Sequence, residues 1–259
     1  MIPGSRKLHA LLPVLVAVIA VAMPHVCAAD VGLPALTVQG GPGGGQTYTL
    51  TLQVLVLMTA LSLLPAILLM MTAFTRIVIV LGLLRQAIGA GQTPPNQVLI
   101  GLSLFLTLFV MAPVVDRIND QAVKPYMAGT IDSTVALTNA IGPLKTFMLS
   151  QVGRDDLALF VKLSKIPKPA TAQDIPIRVV TPAFMISELK RAFEIGFLLF
   201  VPFLVIDLVV ASVLMSMGMM MLPPVVVSLP FKLIFFVLVD GWRLVAGSLV
   251  QSFQHGPGS

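Results

Sequence analysis

Two charges sit where charges are expensive. Asp207 is flanked by Ile206, Leu208, Val209 and Val210, and Lys232 stands between Phe231 and Leu233. At mid-membrane each costs about 2.5–3.5 kcal/mol on insertion scales. Pairing offsets much of that, and removing one partner strands the other. Their apolar stretches are consecutive, so an antiparallel hairpin can bring them together. A proton relay and a structural clamp, within or between subunits, are both open. With no histidine or second buried carboxylate nearby, the clamp is favoured.

Met215, Met217, Met219, Met220 and Met221 crowd around Gly218, just before Pro223-Pro224. Methionine is unbranched and polarizable, so it fills irregular or changing shapes. Repeated around a ring of subunits, such a loop could close a pore and yield to cargo. Composition alone favours the plainer reading, gap-filling at a helix end.

Other chemistries find no foothold. The one cysteine is Cys27 and the histidines are His9, His25 and His255. That leaves no Cys/His cluster for zinc, haem or iron–sulfur, and no disulfide within the chain. No cofactor is expected. The glycine run at 40–45 is no phosphate cradle, because no Lys-Ser/Thr pair follows and no strand is read before it. A Ser-His-Asp set is lacking. Asp207 and Asp240 make a poor aspartyl dyad, because Lys232 competes for either acid. The reading is not an enzyme.

The elements that hold these residues are those of a membrane. Hydrophobic residues make up 57% of the 259, against about 45–50% in soluble domains. Charged residues are 10%, against about 25%. Mean hydropathy is +0.98, net charge +5 and pI about 9.7. This excludes a soluble enzyme and a disordered regulator. The bases are too sparse to track phosphates, so no nucleic-acid partner is expected.

Residues 1–29 read as a signal peptide: basic Arg6, Lys7 and His9, an apolar run at 10–22, and a cut after Ala28 or Ala29. A first transmembrane helix is the alternative. Its apolar run of about 13 residues falls short of the roughly 20 needed, and Pro13 and Pro24 interrupt it. A flexible Gly/Pro-rich leader follows at 30–48. Apolar stretches then occupy 50–72, 98–115, 195–217 and 225–239, the last continuing weakly through 244–250. None alternates strictly, so helices are favoured over barrel strands.

A polar insert separates the second and third stretches. Of the chain's 16 basic and 11 acidic residues, 10 and 8 lie between 116 and 194. Leu144, Phe147, Met148, Leu157, Phe160, Val161 and Leu163 fit a helical face. Pro167, Pro169, Pro176 and Pro182 mark an extended connection after it. Arg76 and Arg85, with no acid nearby, put the segment between the first two spans in the cytoplasm. The insert is then outside and the methionine loop inside. Residues 75–88 are nonetheless apolar apart from Arg76, Arg85 and Gln86, and look like a continuation of the first helix. Arginines that deep, and Pro65, Pro202 and Pro230 within apolar runs, need protein or water around them. Thr93-Pro94-Pro95-Asn96 and Leu222-Pro223-Pro224-Val225 admit a weak inverted repeat or, preferably, two proline-stiffened hairpins.

Two long blocks carry a family resemblance. One runs from Phe74 to Gly89 and from Gln92 to Thr107. The other runs from Val201 to Pro224 and from Ser228 to Trp242. Together they resemble the FliP family of flagellar export gates, and its counterparts in type III secretion injectisomes, over about 48–253. The consecutive methionines and the leading signal favour the flagellar branch. The glycine-rich leader and the tail from His255 depart from the family without touching the blocks.

The resemblance implies a homo-oligomer of about five copies with FliQ and FliR, beside other export-apparatus membrane proteins. Its lumen would pass unfolded flagellar proteins across the bacterial inner membrane, in the flagellar basal body. It implies a gasket at Met219, Met220 and Met221, buried charges at Glu188, Asp207 and Lys232, and hairpins seated largely above the membrane plane. That would overturn a simple four-span topology.

The fold expected is an all-α membrane protein with long helical hairpins, Pro-broken helices and a small helical extracytoplasmic insert, assembling as a homo-oligomeric ring. The divisions are 1–29 signal peptide, 30–48 leader, 49–115 first hairpin region, 116–190 periplasmic insert, 191–254 second hairpin region with the methionine loop, and 255–259 tail. A secondary transporter for a small solute and a membrane scaffold without a channel are the rival functions.

Overall fold

The computed structural model describes residues 36–40, 46–50, 52–91, 93–166, 169–219 and 222–254. The signal peptide, the tail, Met220 and Met221 lie outside the described residues. The chain divides into two units, Met1–Pro65 and Ala66–Ser259.

In the first unit, β1 (Leu36–Gly40) and β2 (Gln46–Leu50) pair antiparallel, with Leu36 opposite Leu50 and Gly40 opposite Gln46. A strand therefore does precede the glycine run, and the leader is not featureless. Its Leu-Thr-Val and Thr-Tyr-Thr segments are β-formers on either side of a run that can turn. The run still lacks the Lys-Ser/Thr pair a phosphate cradle needs. Helix α1 (Leu52–Met70) starts here and continues past Pro65 into the second unit.

The second unit is helical throughout. It contains α2 (Phe74–Ile88), α3 (Asn96–Ile118), a π-turn at Asn119–Val123, the short α4 (Lys124–Met127), α5 (Ser133–Gln151) and α6 (Arg154–Leu163). A 3₁₀ turn at Ala172–Asp174, α7 (Ile177–Ser216), α8 (Pro224–Leu238) and α9 (Gly241–Gln254) follow. The all-α, proline-interrupted, apolar architecture read from composition is the one found. Prolines 113, 143, 182, 202 and 230 all lie inside helices.

Helix α2 is the axis of this unit. Arg76, Ile77, Val80, Leu81, Leu84, Ala87 and Ile88 are all buried, a stripe at helical spacing. They pack with Leu99 of α3, Ala192 and Phe203 of α7, Phe236 of α8, and Val245, Leu249 and Phe253 of α9. Residues 75–88 are thus neither a loop nor a smooth extension of α1, because the helix breaks at Met71–Ala73. A second cluster joins Met148 of α5 to Val179, Val180 and Phe184 of α7, with Leu144, Phe147, Leu157, Phe160 and Val161 against it. Leu163 points away and is exposed. Asp132 caps α5, and the backbone amides of Ser133 and Thr134 hold its carboxyl below the ordinary carboxylate range.

Helix α7 is a single 40-residue rod. It crosses the expected boundary between insert and second hairpin, and Pro182 lies within it rather than in an extended connection. A proline in the second turn loses one hydrogen bond, while Val179, Val180, Ala183 and Phe184 around it are packed. Two helical runs, Asn96–Met127 and Ile177–Ser216, are long and apolar enough to cross a membrane; there are up to four spans if each broken helix pair counts as one. Only 28% and 11% of their most apolar windows are buried inside the chain.

Helices α2 and α7 run parallel, since Arg76 meets Glu188 and Leu83 meets Gly196. A Cβ on Gly196 would come 2.2 Å from Leu83 Cδ1 and 3.2 Å from its Cβ. Gly196→Ala is therefore expected to destabilise the chain by about 1–3 kcal/mol through overpacking, read from unfolding in mixed micelles. Adding Leu83→Ala should restore part of the loss. Wild-type stability for Gly196→Ala would contradict this close approach.

Candidate functional site

Two buried charge centres hang on α2, one near each end. Near its start, Arg76 and Glu188 are both 0% exposed and form an ion pair. The Arg76 Nε donates to Glu188 Oε2 at 2.8 Å, and Nη2 donates to Glu188 Oε1. Nη1 donates to the Ser252 hydroxyl at 3.0 Å and to the Ser252 carbonyl at 3.2 Å. Nη2 also reaches Gln151 Oε1 at 3.2 Å. The Phe253 ring lies 3.8 Å from the guanidinium carbon, a cation–π contact. Gln151 in turn donates to the Phe253 carbonyl at 2.9 Å and accepts from Arg191 at 3.2 Å.

This centre gathers α2, α5, α7 and the last turn of α9 around one guanidinium. Planar, five-donor arginine suits the task where lysine would not. Ser187, beside Glu188, extends the linkage. Its hydroxyl donates to Asp156 at 2.6 Å and accepts from the Gly153 amide at 2.9 Å, tying α6 to α7. Among the described residues no buried side-chain polar atom lacks a partner.

At the far end of α2, Lys232 Nζ donates to Asp207 Oδ2 at 2.7 Å and to the Ala87 carbonyl at 3.3 Å. Ser228 donates to the other carboxylate oxygen. Lys232 is nearly sealed, with its side chain 5% exposed; that of Asp207 is 31% exposed. The pair therefore closes within one chain. The ammonium also sits at the C-terminus of α2, where Gly89 turns left-handed at φ 76°, and a cation there is favoured by the negative end of the helix dipole. Phe203 packs against Phe235 and Phe236, so pairings fall on α7 as they rise on α8, and these helices are antiparallel.

Beyond Asp207, α7 ends in a Schellman turn. The Met219 amide donates to the Leu214 carbonyl at 3.0 Å, the Gly218 amide donates to the Met215 carbonyl at 3.1 Å, and Gly218 has φ 75°. Met215, Met217 and Met219 are exposed. After the link, Pro223-Pro224 starts α8. That helix bends 64° into α9 at Asp240-Gly241, where Asp240 has φ 51°. Gly241 there lies against Phe236, close enough that a Cβ would meet the ring.

Arg76 lies on a helix rather than in the loop the sequence suggested, and its side chain is 0% exposed. Arg85 is half-buried and donates to Asn96 Oδ1 at 2.6 Å and to the Pro94 carbonyl at 3.2 Å, stapling α2 to α3. Sequence reasoning missed Gln151, Arg191, Ser252 and Phe253. The available signal was an arginine at the head of the apolar run 77–84, but nothing in spacing named its partners. No group of three or more metal-ligating side chains occurs among the described residues.

The family model described as FliP family matches residues 57–249. Flagellar biosynthetic protein FliP of Caulobacter vibrioides is 64% identical over 249 residues, 96% of this chain and 92% of the relative. The protein of that name from Pectobacterium carotovorum is 58% identical over 221 residues, covering 85% and 86%. The one from Bacillus subtilis is 56% identical over 203 residues, covering 78% and 92%.

The chain belongs to the FliP family.

The family match contains most of the two charge centres but stops at residue 249. Ser252 and Phe253, which close the Arg76 centre, lie beyond it. Arg76→Met alone should cost this family member about 3–5 kcal/mol, because it leaves Glu188 buried and uncompensated. Arg76→Met with Glu188→Met should recover most of that. A double-mutant cycle in mixed micelles measures the coupling, and simple additivity of the two losses would refute it.

Proposed function

We propose that the chain is a core subunit of the flagellar type III protein export gate. About five copies, with FliQ and FliR, enclose a conduit through which unfolded flagellar proteins cross the bacterial inner membrane. The subunit is not an enzyme; it shapes and seals a passage. Residues 116–190 stand on the periplasmic side, and the subunit sits in the flagellar basal body among other export-apparatus proteins.

The observation that carries this reading is how the methionine link is held. Asp207 and Lys232 fix α7 to α8 two to three turns below the link, and the link itself, as far as it is described, is unburied. A rigid base with exposed thioethers above it suits a gasket that yields sideways and returns. The family membership supports the cargo class, since the relatives are named for flagellar biosynthesis. The large apolar faces of α7 and α8 support a subunit made to be covered by neighbours.

Replacing Met219, Met220 and Met221 with Gly in an otherwise intact gate should let ions or small solutes leak across the membrane. Tight cells that export flagellar proteins normally would end the gasket reading. Asp207→Ala is expected to abolish recovery of the multi-copy complex by native mass spectrometry from gentle detergent. A charge-swapped Asp207→Lys with Lys232→Asp should restore part of it. Normal assembly of Asp207→Ala would refute the clamp, and full activity from a solitary chain would favour a small-solute transporter.

A further inference from the structure

The last turn of α9 closes a centre that the rest of the chain leaves open. Helix α9 buries only Gly241, Val245, Leu249 and Phe253, one residue in every four. That stripe is narrower than the usual buried face of a surface helix, so apolar contact holds α9 thinly. Its last turn adds polar ties to two other helices. Arg76 of α2 donates to the Ser252 hydroxyl and carbonyl, and Gln151 of α5 donates to the Phe253 carbonyl. Carbonyls in a last helical turn have no partner within their own helix; here side chains from two others cap them. The negative end of the α9 dipole also favours the guanidinium. The Phe253 ring covers that guanidinium at 3.8 Å and stacks on Phe147, with centroids 6.4 Å apart.

The sequence sets the order in which these partners become available. Counting from Arg76, Gln151 follows by 75 residues, Glu188 by 112 and Ser252 by 176. At about 5–20 residues per second of synthesis, Ser252 follows Arg76 by roughly 9–35 s. Helices form in about 0.1–1 μs, so α2, α5 and α7 exist long before their last partner. Over that interval Nη1 has neither of its Ser252 acceptors, and no Phe253 ring lies over the guanidinium. Sealing a charged donor without a partner is strongly unfavourable, so water stays at the start of α2 until α9 docks. The Asp207–Lys232 end draws on no residue of α9, and neither does the cluster around Met148, Val180 and Phe184. Only the Arg76 end waits.

We propose that the last turn of α9 is a latch. Docked, it seals the Arg76 centre and fixes α7 on α2; undocked, it leaves the start of α2 hydrated and keeps the chain from joining further copies. The seal stands on the geometry of one chain, whereas its hold on assembly rests on the gate reading above.

The test uses the full chain, purified in gentle detergent, with Ser252→Ala and Phe253→Leu together removing the hydroxyl and the ring. Hydrogen exchange resolved by segment reads the seal. Amides of α9 and of the first half of α2 should exchange about tenfold faster, while those around Met148, Val180 and Phe184 stay within about twofold of wild type. The same two substitutions in a chain carrying Arg76→Met and Glu188→Met should change α9 exchange by less than about twofold, because no charge is left to seal. Ser252→Thr, which keeps the hydroxyl, should match wild type. Unchanged exchange, or acceleration spread evenly over every helix, overturns the latch. So does equal acceleration in the chain without the ion pair, which would mark apolar docking alone. Native mass spectrometry reads assembly separately, and the opened variant should yield about a tenth or less of the wild-type multi-copy complex. Wild-type assembly by a variant that does open overturns the hold on assembly. A wild-type chain that works alone would end the gate reading, and the hold on assembly with it, while exchange still decides the seal.

Discussion

A guanidinium sealed from water must carry its counter-charge with it. That constraint organises the second unit around Arg76. An uncompensated arginine in an apolar interior costs several kcal/mol, so α2 can be buried only where Glu188, Gln151 and Ser252 converge on it. Those residues lie on three other helices. The condition is therefore met by one arrangement of α2, α5, α7 and α9, and by few others. Apolar contacts alone would let these smooth helices slide; the fork of a guanidinium against a carboxylate does not.

The second centre acts at the other end of the same helix. Lys232 reaches across to the α2 C-terminus and to Asp207 together, so α2 is held near its start by one charge pair and at its end by another. Between them, Leu83 lies on Gly196 with no room for a Cβ. The lower part of α7 is thereby clamped along α2. Above Asp207 only apolar contacts hold it, with Leu214 buried, up to the Schellman turn and its methionines. Polar anchoring below and apolar contact above follow from where the charges lie.

Much of this was legible in the sequence. Helical class followed from long apolar runs that never alternate, and the proline interruptions were visible as such. Asp207 and Lys232 stood out because each is a lone charge in a run of apolar residues. The Arg76 centre was not legible. Arg76 and Glu188 are 112 positions apart, and Glu188 sits among enough other charges that nothing marked it as buried. Charge density misled there: the segment counted as a polar insert includes the first part of α7, whose buried face carries Val180, Phe184 and Glu188 together. Pro182 misled in the same way, since a proline stops a helix only where packing does not outweigh one lost hydrogen bond.

The division of labour between charge and apolar surface bears on assembly. Both charge centres are satisfied inside one chain, and no buried side-chain polar atom is left wanting among the described residues. What remains unsatisfied is apolar: Phe197, Leu198, Leu204 and Leu208 on α7, and Val226, Ile234 and Val237 on α8, are all exposed. In the proposed gate, then, polar matching sets the shape of each subunit while dispersion and hydrophobic burial join one subunit to the next. Contacts of that kind lack direction, and tolerate small rotations that would break a hydrogen bond. A ring held this way can widen by sharing slight slips among its interfaces. Each methionine link would then move as a unit on its clamped base, so a passing chain would meet yielding thioethers without unpairing a buried charge.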